Sequence, residues 1–147
     1  QLLTKNKNNR YLSPMMKTFF HGHTYTGNPL AASAALANLQ VFRQERTLEK
    51  LAPKIKFLSK ELKKFYNLPL VKEVRQCGFM VGIELHGPLE ERLGAKICQH
   101  LRAHGILLRP LGNVIVLLPP LAISIKELTN LLENTYQMIK AYESSTR

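Results

Sequence analysis

Two stretches of this 147-residue sequence carry side chains whose types and spacing can do chemistry. The first is His21-Gly22-His23-Thr24-Tyr25-Thr26-Gly27-Asn28-Pro29-Leu30, which joins a turn holding two glycines and two threonines to an alanine-rich segment. Asn28 suits a helix N-cap, Pro29 has the fixed φ of a first helical position, and residues 30–39 are rich in strong helix formers. Backbone N–H groups around Gly22 and Gly27, with the hydroxyl of Thr24 or Thr26, can surround an anion near the positive end of the helix. That chemistry is phosphate binding. The plainer alternative is a threonine turn that only caps the helix.

The second is Arg109, which ends the apolar run Ile106-Leu107-Leu108 and precedes Pro110-Leu111-Gly112. A planar five-donor fork at a turn suits bidentate capture of a carboxylate, and a lysine would not replace it geometrically. The alternatives are an internal ion pair, for example with Glu84, or a solvent-exposed strand end. Other constellations point to structure. His100 and His104 lie four apart on a predicted helix but have no carboxylate or third ligand beside them, so no metal site is expected. His21 and His23 flank Gly22 and either touch a ligand or line an interface. Cys98 has apolar helical neighbours, Ile97 and Leu101, and reads as a small core residue.

The elements that must position these residues follow from periodicity. A helix is expected from Asn28 to about Gln44, on the pattern Leu30, Ala34, Ala37, Val41, and a second from about Thr47 to Phe65. Pro53 removes one helical donor, so the second helix should bend there or begin later. Val71–Gln76 and Met80–Leu85 read as strands of a hairpin turning at Cys77-Gly78. A third helix fits Leu89–His104, with Gly105 at its C′ position. Ile106–Arg109 and Val114–Leu117 read as strands joined by the turn Pro110-Leu111-Gly112-Asn113, and Pro119-Pro120 ends the second. Ser124-Ile125-Lys126-Glu127 is a capping box that opens the last helix through Leu128, Leu131, Leu132 and Ile139. The order β-β-α-β-β-α after a long leading helix makes this an α+β fold, with helices on one face of a small, mostly antiparallel sheet.

The stretch Phe20–Ala31 resembles the segment of class III aminotransferases, fold-type I pyridoxal-phosphate enzymes, that delivers a threonine to the cofactor phosphate. By that resemblance Thr24 binds the phosphate of pyridoxal 5'-phosphate. It reaches across a homodimer interface into the partner's site, with His23 near the cofactor and Gly22 near the substrate. Gly105–Leu121 is similar to the C-terminal motif of the members that aminate 8-amino-7-oxononanoate in biotin biosynthesis, usually with S-adenosylmethionine as donor. This implies that Arg109 grips the carboxylate of the keto acid. Val74–Leu85 resembles the small-domain hairpin of the family and is given an architectural role only. The implied organisation is the end of a large, cofactor-binding domain over residues 1–27, an interdomain helix over 28–46, and a C-terminal small domain over 47–147.

Transamination also needs a lysine that bonds the cofactor and a carboxylate that holds its ring nitrogen, and in the family both lie upstream in the large domain. Lys5, Lys7 and Lys17 have no fitting context. With Gln1 at the start, no initiator methionine and no apolar signal core, the chain reads as a piece of something longer and is expected to be inactive alone. A hydrophobic content of 45% fits a globular domain, and no apolar run approaches membrane-spanning length. Cys77 and Cys98 lack metal or redox spacing, which suggests reduced thiols and a cytoplasmic setting. The net charge of +11 would attract a polyanion, but Lys54, Lys56, Lys60, Lys63 and Lys64 surround an apolar helical stripe and read mostly as a solvated face. Three rivals stand beside the main reading. One is a class III enzyme acting on an ω-amino acid or diamine, another a basic nucleic-acid-binding domain, and the last a non-catalytic dimerisation module.

Overall fold

In the computed structural model, residues 22, 24 and 26–145 are described, and the chain divides into two units, residues 1–41 and 42–147. The first unit holds the turn and most of helix α1 (Pro29–Gln44). Asn28 caps it as expected. Its Oδ1 accepts from the backbone N–H of Leu30 at 2.9 Å and of Ala31 at 3.3 Å, and its carbonyl accepts from Ala32 at 3.0 Å. No residue of α1 is buried, and Leu30, Leu36, Leu39 and Val41 are exposed.

The second unit contains α2 (Thr47–Leu62), β1 (Val71–Cys77), β2 (Met80–Leu85), α3 (Leu93–Leu101), β3 (Arg109–Leu111), β4 (Val114–Leu117) and α4 (Ile125–Ser145). The strands form one antiparallel sheet in the order β1-β2-β4-β3. The α+β order read from periodicity is therefore the order found. One sheet face is buried: Val81, Ile83 and Leu85 of β2 and Ile115 and Leu117 of β4 meet Leu58 and Leu62 of α2, Ile97 and Leu101 of α3, and Leu128, Leu132 and Ile139 of α4. Strand alternation sends Glu73, Arg75, Glu84, Val116 and Arg109 to the other face.

Several boundaries differ from the expected ones, each for a local reason. Helix α2 starts at Thr47 and runs through Pro53, so the proline does not delay it. Arg46, in the left-handed region at φ 51, turns the chain into it without a side-chain cap. Helix α3 is shorter than expected, because Leu89–Glu91 and Arg102–His104 are 3₁₀ turns on either side. Gly105 ends that segment at φ 72, the left-handed conformation anticipated for it. At the last helix the capping box is complete: Ser124 N–H donates to Glu127 Oε2 at 2.8 Å and Glu127 N–H to Ser124 Oγ at 3.1 Å.

Strand β3 begins at Arg109, where a strand end was expected, and includes Pro110 and Leu111. The turn is only Gly112–Asn113. Proline fits because β3 is an edge strand, where a missing donor removes no ladder bond on the open side. Both hairpins use a two-residue loop with glycine first, Gly78 and Gly112, each at φ 58. In both, the second loop residue, Phe79 and Asn113, is buried.

On the solvent face, Glu73 lies directly opposite Glu84, a like-charge pair that would destabilise the hairpin. A bulge in β1 supplies the remedy by adding Lys72, whose Nζ reaches Glu84 Oε1 at 2.7 Å. Arg75 bridges both acids, donating to Glu73 and, at 2.6 Å, to Glu84 Oε2. Opposite Arg75 stands Gly82, which puts no side chain in the way of the guanidinium. The hydrogen bond from Lys72, then that from Arg75, holds the Glu84 carboxyl down to about 2 from its ordinary 4.5.

Two predictions follow from this packing. Leu58→Ala empties a fully buried site beneath the sheet and is expected to lower stability by about 2–5 kcal/mol in denaturant unfolding. A depressed carboxylate stabilises the fold above its ordinary pKa, and that contribution is lost as pH falls from 4.5 towards about 2. Glu84→Gln should flatten stability across that acid window, read by circular dichroism; an unchanged slope would uncouple the cluster from folding.

Candidate functional site

Thr24 lies in the turn before α1 with its residue exposed, and Gly22 is exposed with open space around it. His23, the other residue expected near a cofactor, lies outside the described residues. Gly27 at φ 79 adopts a backbone that other residues rarely take, which lets the chain turn sharply into Asn28. The first N–H groups of α1 are not open to an anion, because Asn28 occupies those of Leu30, Ala31 and Ala32 and Pro29 has none. A phosphate here would be met by the Thr24 hydroxyl and turn amides, with the helix adding only its dipole.

The second candidate, Arg109, is exposed on the open sheet face. Register places it at one end of a row that crosses the sheet: Arg109 pairs with Val116, Val116 with Gly82, and Gly82 with Arg75. Three interstrand steps separate the two arginines by about 14 Å. At the far end, Arg75 and Lys72 consume the acids Glu73 and Glu84. The alternative of an Arg109–Glu84 ion pair is therefore not what forms, and among the described residues no carboxylate pairs with Arg109.

Around Arg109 is a hollow of about 530 Å³ lined by Leu107, Leu108, Leu111, Val116 and Leu118. Leu107, Leu111 and Leu118 are 79%, 63% and 67% exposed, so these walls are apolar surface that the unit itself does not cover. A cationic fork beside such walls can bind an anionic head with an aliphatic body. Among the described residues, neither a lysine nor a carboxylate lines the hollow. Gly22 and Thr24 belong to the first unit and Arg109 to the second.

The remaining candidates take structural places. His100 Nδ1 sits 2.9 Å from the carbonyl of Lys96 and 2.8 Å from the Tyr142 hydroxyl, which ties α3 to α4. Among the described residues, no group of three His, Cys, Asp or Glu side chains could hold a metal ion. Burial pushes the Cys98 thiol up to about 11, so it stays protonated as a packing residue. Of the lysines around α2, Lys54 donates to the Leu121 carbonyl at 2.9 Å and Lys64 to Glu133 at 2.8 Å, while Lys56, Lys60 and Lys63 are exposed. Residues that sequence reasoning passed over are Lys72 and Glu73 of the charge cluster and the buried Asn113. Only the turn pair Gly112-Asn113 hinted at the last.

Comparison with known proteins places these features in a family. The class-III aminotransferase family matches residues 1–139. A protein of Aquifex aeolicus (strain VF5) named adenosylmethionine-8-amino-7-oxononanoate aminotransferase is 50% identical over 135 residues, covering 86% of this chain and 30% of that protein. One of Geobacter sulfurreducens (strain ATCC 51573 / DSM 12127 / PCA) with the same name is 48% identical over 132 residues, covering 84% and 29%. The crystal structure of adenosylmethionine-8-amino-7-oxononanoate aminotransferase from Methanocaldococcus jannaschii DSM 2661 superposes with a TM-score of 0.80 at 45% identity, over 86% of this chain and 31% of that one. The chain thus spans 29–30% of the length of these curated relatives. Over that span, with its four-stranded antiparallel sheet and its turn-and-helix start, the chain belongs to the class-III aminotransferases.

Proposed function

We propose that this chain is the C-terminal part of a pyridoxal-phosphate aminotransferase of biotin biosynthesis. The intact enzyme moves an amino group, usually from S-adenosylmethionine, to 8-amino-7-oxononanoate and so makes 7,8-diaminononanoate. The observation that carries this reading is Arg109, exposed beside apolar walls and without a carboxylate partner among the described residues. A keto acid with an aliphatic chain and a distal carboxylate matches that chemistry, and relatives 46–50% identical bear the name of this activity. When bound, pyridoxal phosphate supplies the electron sink for the exchange.

This chain's own residues bind and orient. The Thr24 hydroxyl donates to a phosphate oxygen, and its place in an exposed turn fits a group arriving from another surface. By the family resemblance, His23 serves the cofactor and Gly22 the substrate. Arg109 holds the far carboxylate by two parallel N–H donors, so the ketone end is presented in one orientation. Leu107, Leu111, Val116 and Leu118 exclude water from the aliphatic body, which strengthens the ion pair at its end.

Pairing belongs to the same proposal. Helix α1 exposes Leu30, Leu36, Leu39 and Val41, more apolar surface than an isolated helix keeps in water. A homodimer in which Thr24 serves the partner's site would cover it. The lysine that bonds the cofactor comes from the remaining part of the enzyme, and the segment alone is inactive. Two unpaired thiols, Cys77 and Cys98, support a reducing, cytoplasmic setting. No helix among the described residues is long and apolar enough to cross a membrane.

In the intact enzyme, Arg109→Ala should raise the apparent KM for the keto acid by about 10- to 100-fold, the range of a lost charge-assisted hydrogen bond, and spare the donor half-reaction. Arg109→Lys should recover only part of it. Unchanged keto-acid kinetics would remove Arg109 from the site. Thr24→Ala is expected to weaken cofactor retention about tenfold, measured by absorbance during dialysis; full retention would reject its phosphate role.

A further inference from the structure

The strand that carries Arg109 is poorly held by its own ladder. Strand β3 has three residues and lies at the sheet edge, with β4 as its one strand neighbour among the described residues. Something else must set where the guanidinium stands. The Gly112–Asn113 turn supplies that anchor. Asn113 is 6% exposed, and its Nδ2 donates to the carbonyls of Gly87 at 2.9 Å and Pro88 at 3.3 Å. Its own carbonyl accepts from Leu85 N–H at 3.0 Å, which ties the turn to the end of β2. From the other side, the first turn of α3 presses on the same loop. A Cβ at Gly94 would lie 2.6 Å from the Gly112 carbonyl oxygen, so only glycine permits the contact.

We infer that Asn113 is a positioning residue for Arg109, clamping the β3–β4 turn to the Gly87–Pro88 loop so that the arginine meets the substrate carboxylate in a set register. The inference rests on the reading of Arg109 as the carboxylate clamp. Its physical basis is leverage. Arg109 is paired with Val116 two strand positions beyond Leu111 and Val114, which flank the turn. A tilt at the turn therefore displaces the guanidinium. Aspartate is the informative replacement. It keeps the size of Asn113 but removes the donor and sets a carboxylate against two carbonyl oxygens. The Asn113 Oδ1 already has no hydrogen-bond partner among the described residues, so aspartate finds no compensating donor.

The test uses the intact holoenzyme and compares Asn113→Asp, Asn113→Ser, Arg109→Ala and the Asn113→Asp/Arg109→Ala double variant. Asn113→Asp should raise the keto-acid KM about tenfold, as small misplacements of a binding group do, with the donor half-reaction rate unchanged. Asn113→Ser keeps one donor, is the milder variant should the aspartate fail to fold, and should fall between Asn113→Asp and wild type. In the Arg109→Ala background the aspartate should add nothing to KM, the non-additivity of two residues acting through one contact. A merely structural asparagine would lower both half-reactions together, or add its full effect to Arg109→Ala, and either result overturns the assignment. If Arg109→Ala raises KM while neither Asn113 variant does, the positioning role alone fails. If Arg109→Ala leaves KM unchanged, the clamp reading falls and this inference with it.

Discussion

The sheet of this protein has one buried face, and that asymmetry decides what each strand residue can be. Helices α2, α3 and α4 cover a single side, so residues of one parity become core and those of the other face out. Arg109 falls on the open side by register, through its pairing with Val116 on β4. A slip of one residue would turn the guanidinium into the apolar core, where an unpaired charge is not tolerated. The core residues of β2 and β4 are thus also what keeps the arginine outward.

Charge on the open face is sorted by position. The acids sit on β1 and β2, where Glu73 and Glu84 would repel each other without Lys72 and Arg75. That arrangement leaves the β3 edge with a cation and no acid. Water screens an exposed cluster of this kind, so it contributes less to stability than a buried one would. Its consequence for function is that Glu84 is occupied and does not compete for Arg109.

Edge strands are usually a liability, and here the edge is short, proline-containing and held at its turn. Proline in β3 leaves the ladder to β4 intact and withholds a donor from any further strand on the open side. The hold comes from backbone packing of Gly94 on Gly112 and from the buried amide of Asn113 on Gly87, contacts that join the turn to segments far from it in sequence.

Local chemistry made much of this legible in the sequence. The cap by Asn28, the S-x-x-E box at Ser124, the left-handed Gly105 and the alternation in β2 each depend on near neighbours along the chain, and each stands where it was expected. The two residue stretches proposed to meet an anion and a carboxylate were picked out on equally local grounds, since hydroxyl, glycine and guanidinium chemistry is intrinsic to the side chains. What failed were boundaries that packing overrides: α3 gives way to 3₁₀ turns, and β3 takes in Pro110 because it lies at an edge. Only the tertiary structure decided that Glu84 belongs to Lys72 and Arg75 and that Asn113 reaches Gly87. Partners such as Glu84 with Arg75 and Asn113 with Gly87 stand 9 and 26 residues apart, and no local propensity records which of several possible partners the fold brings within reach.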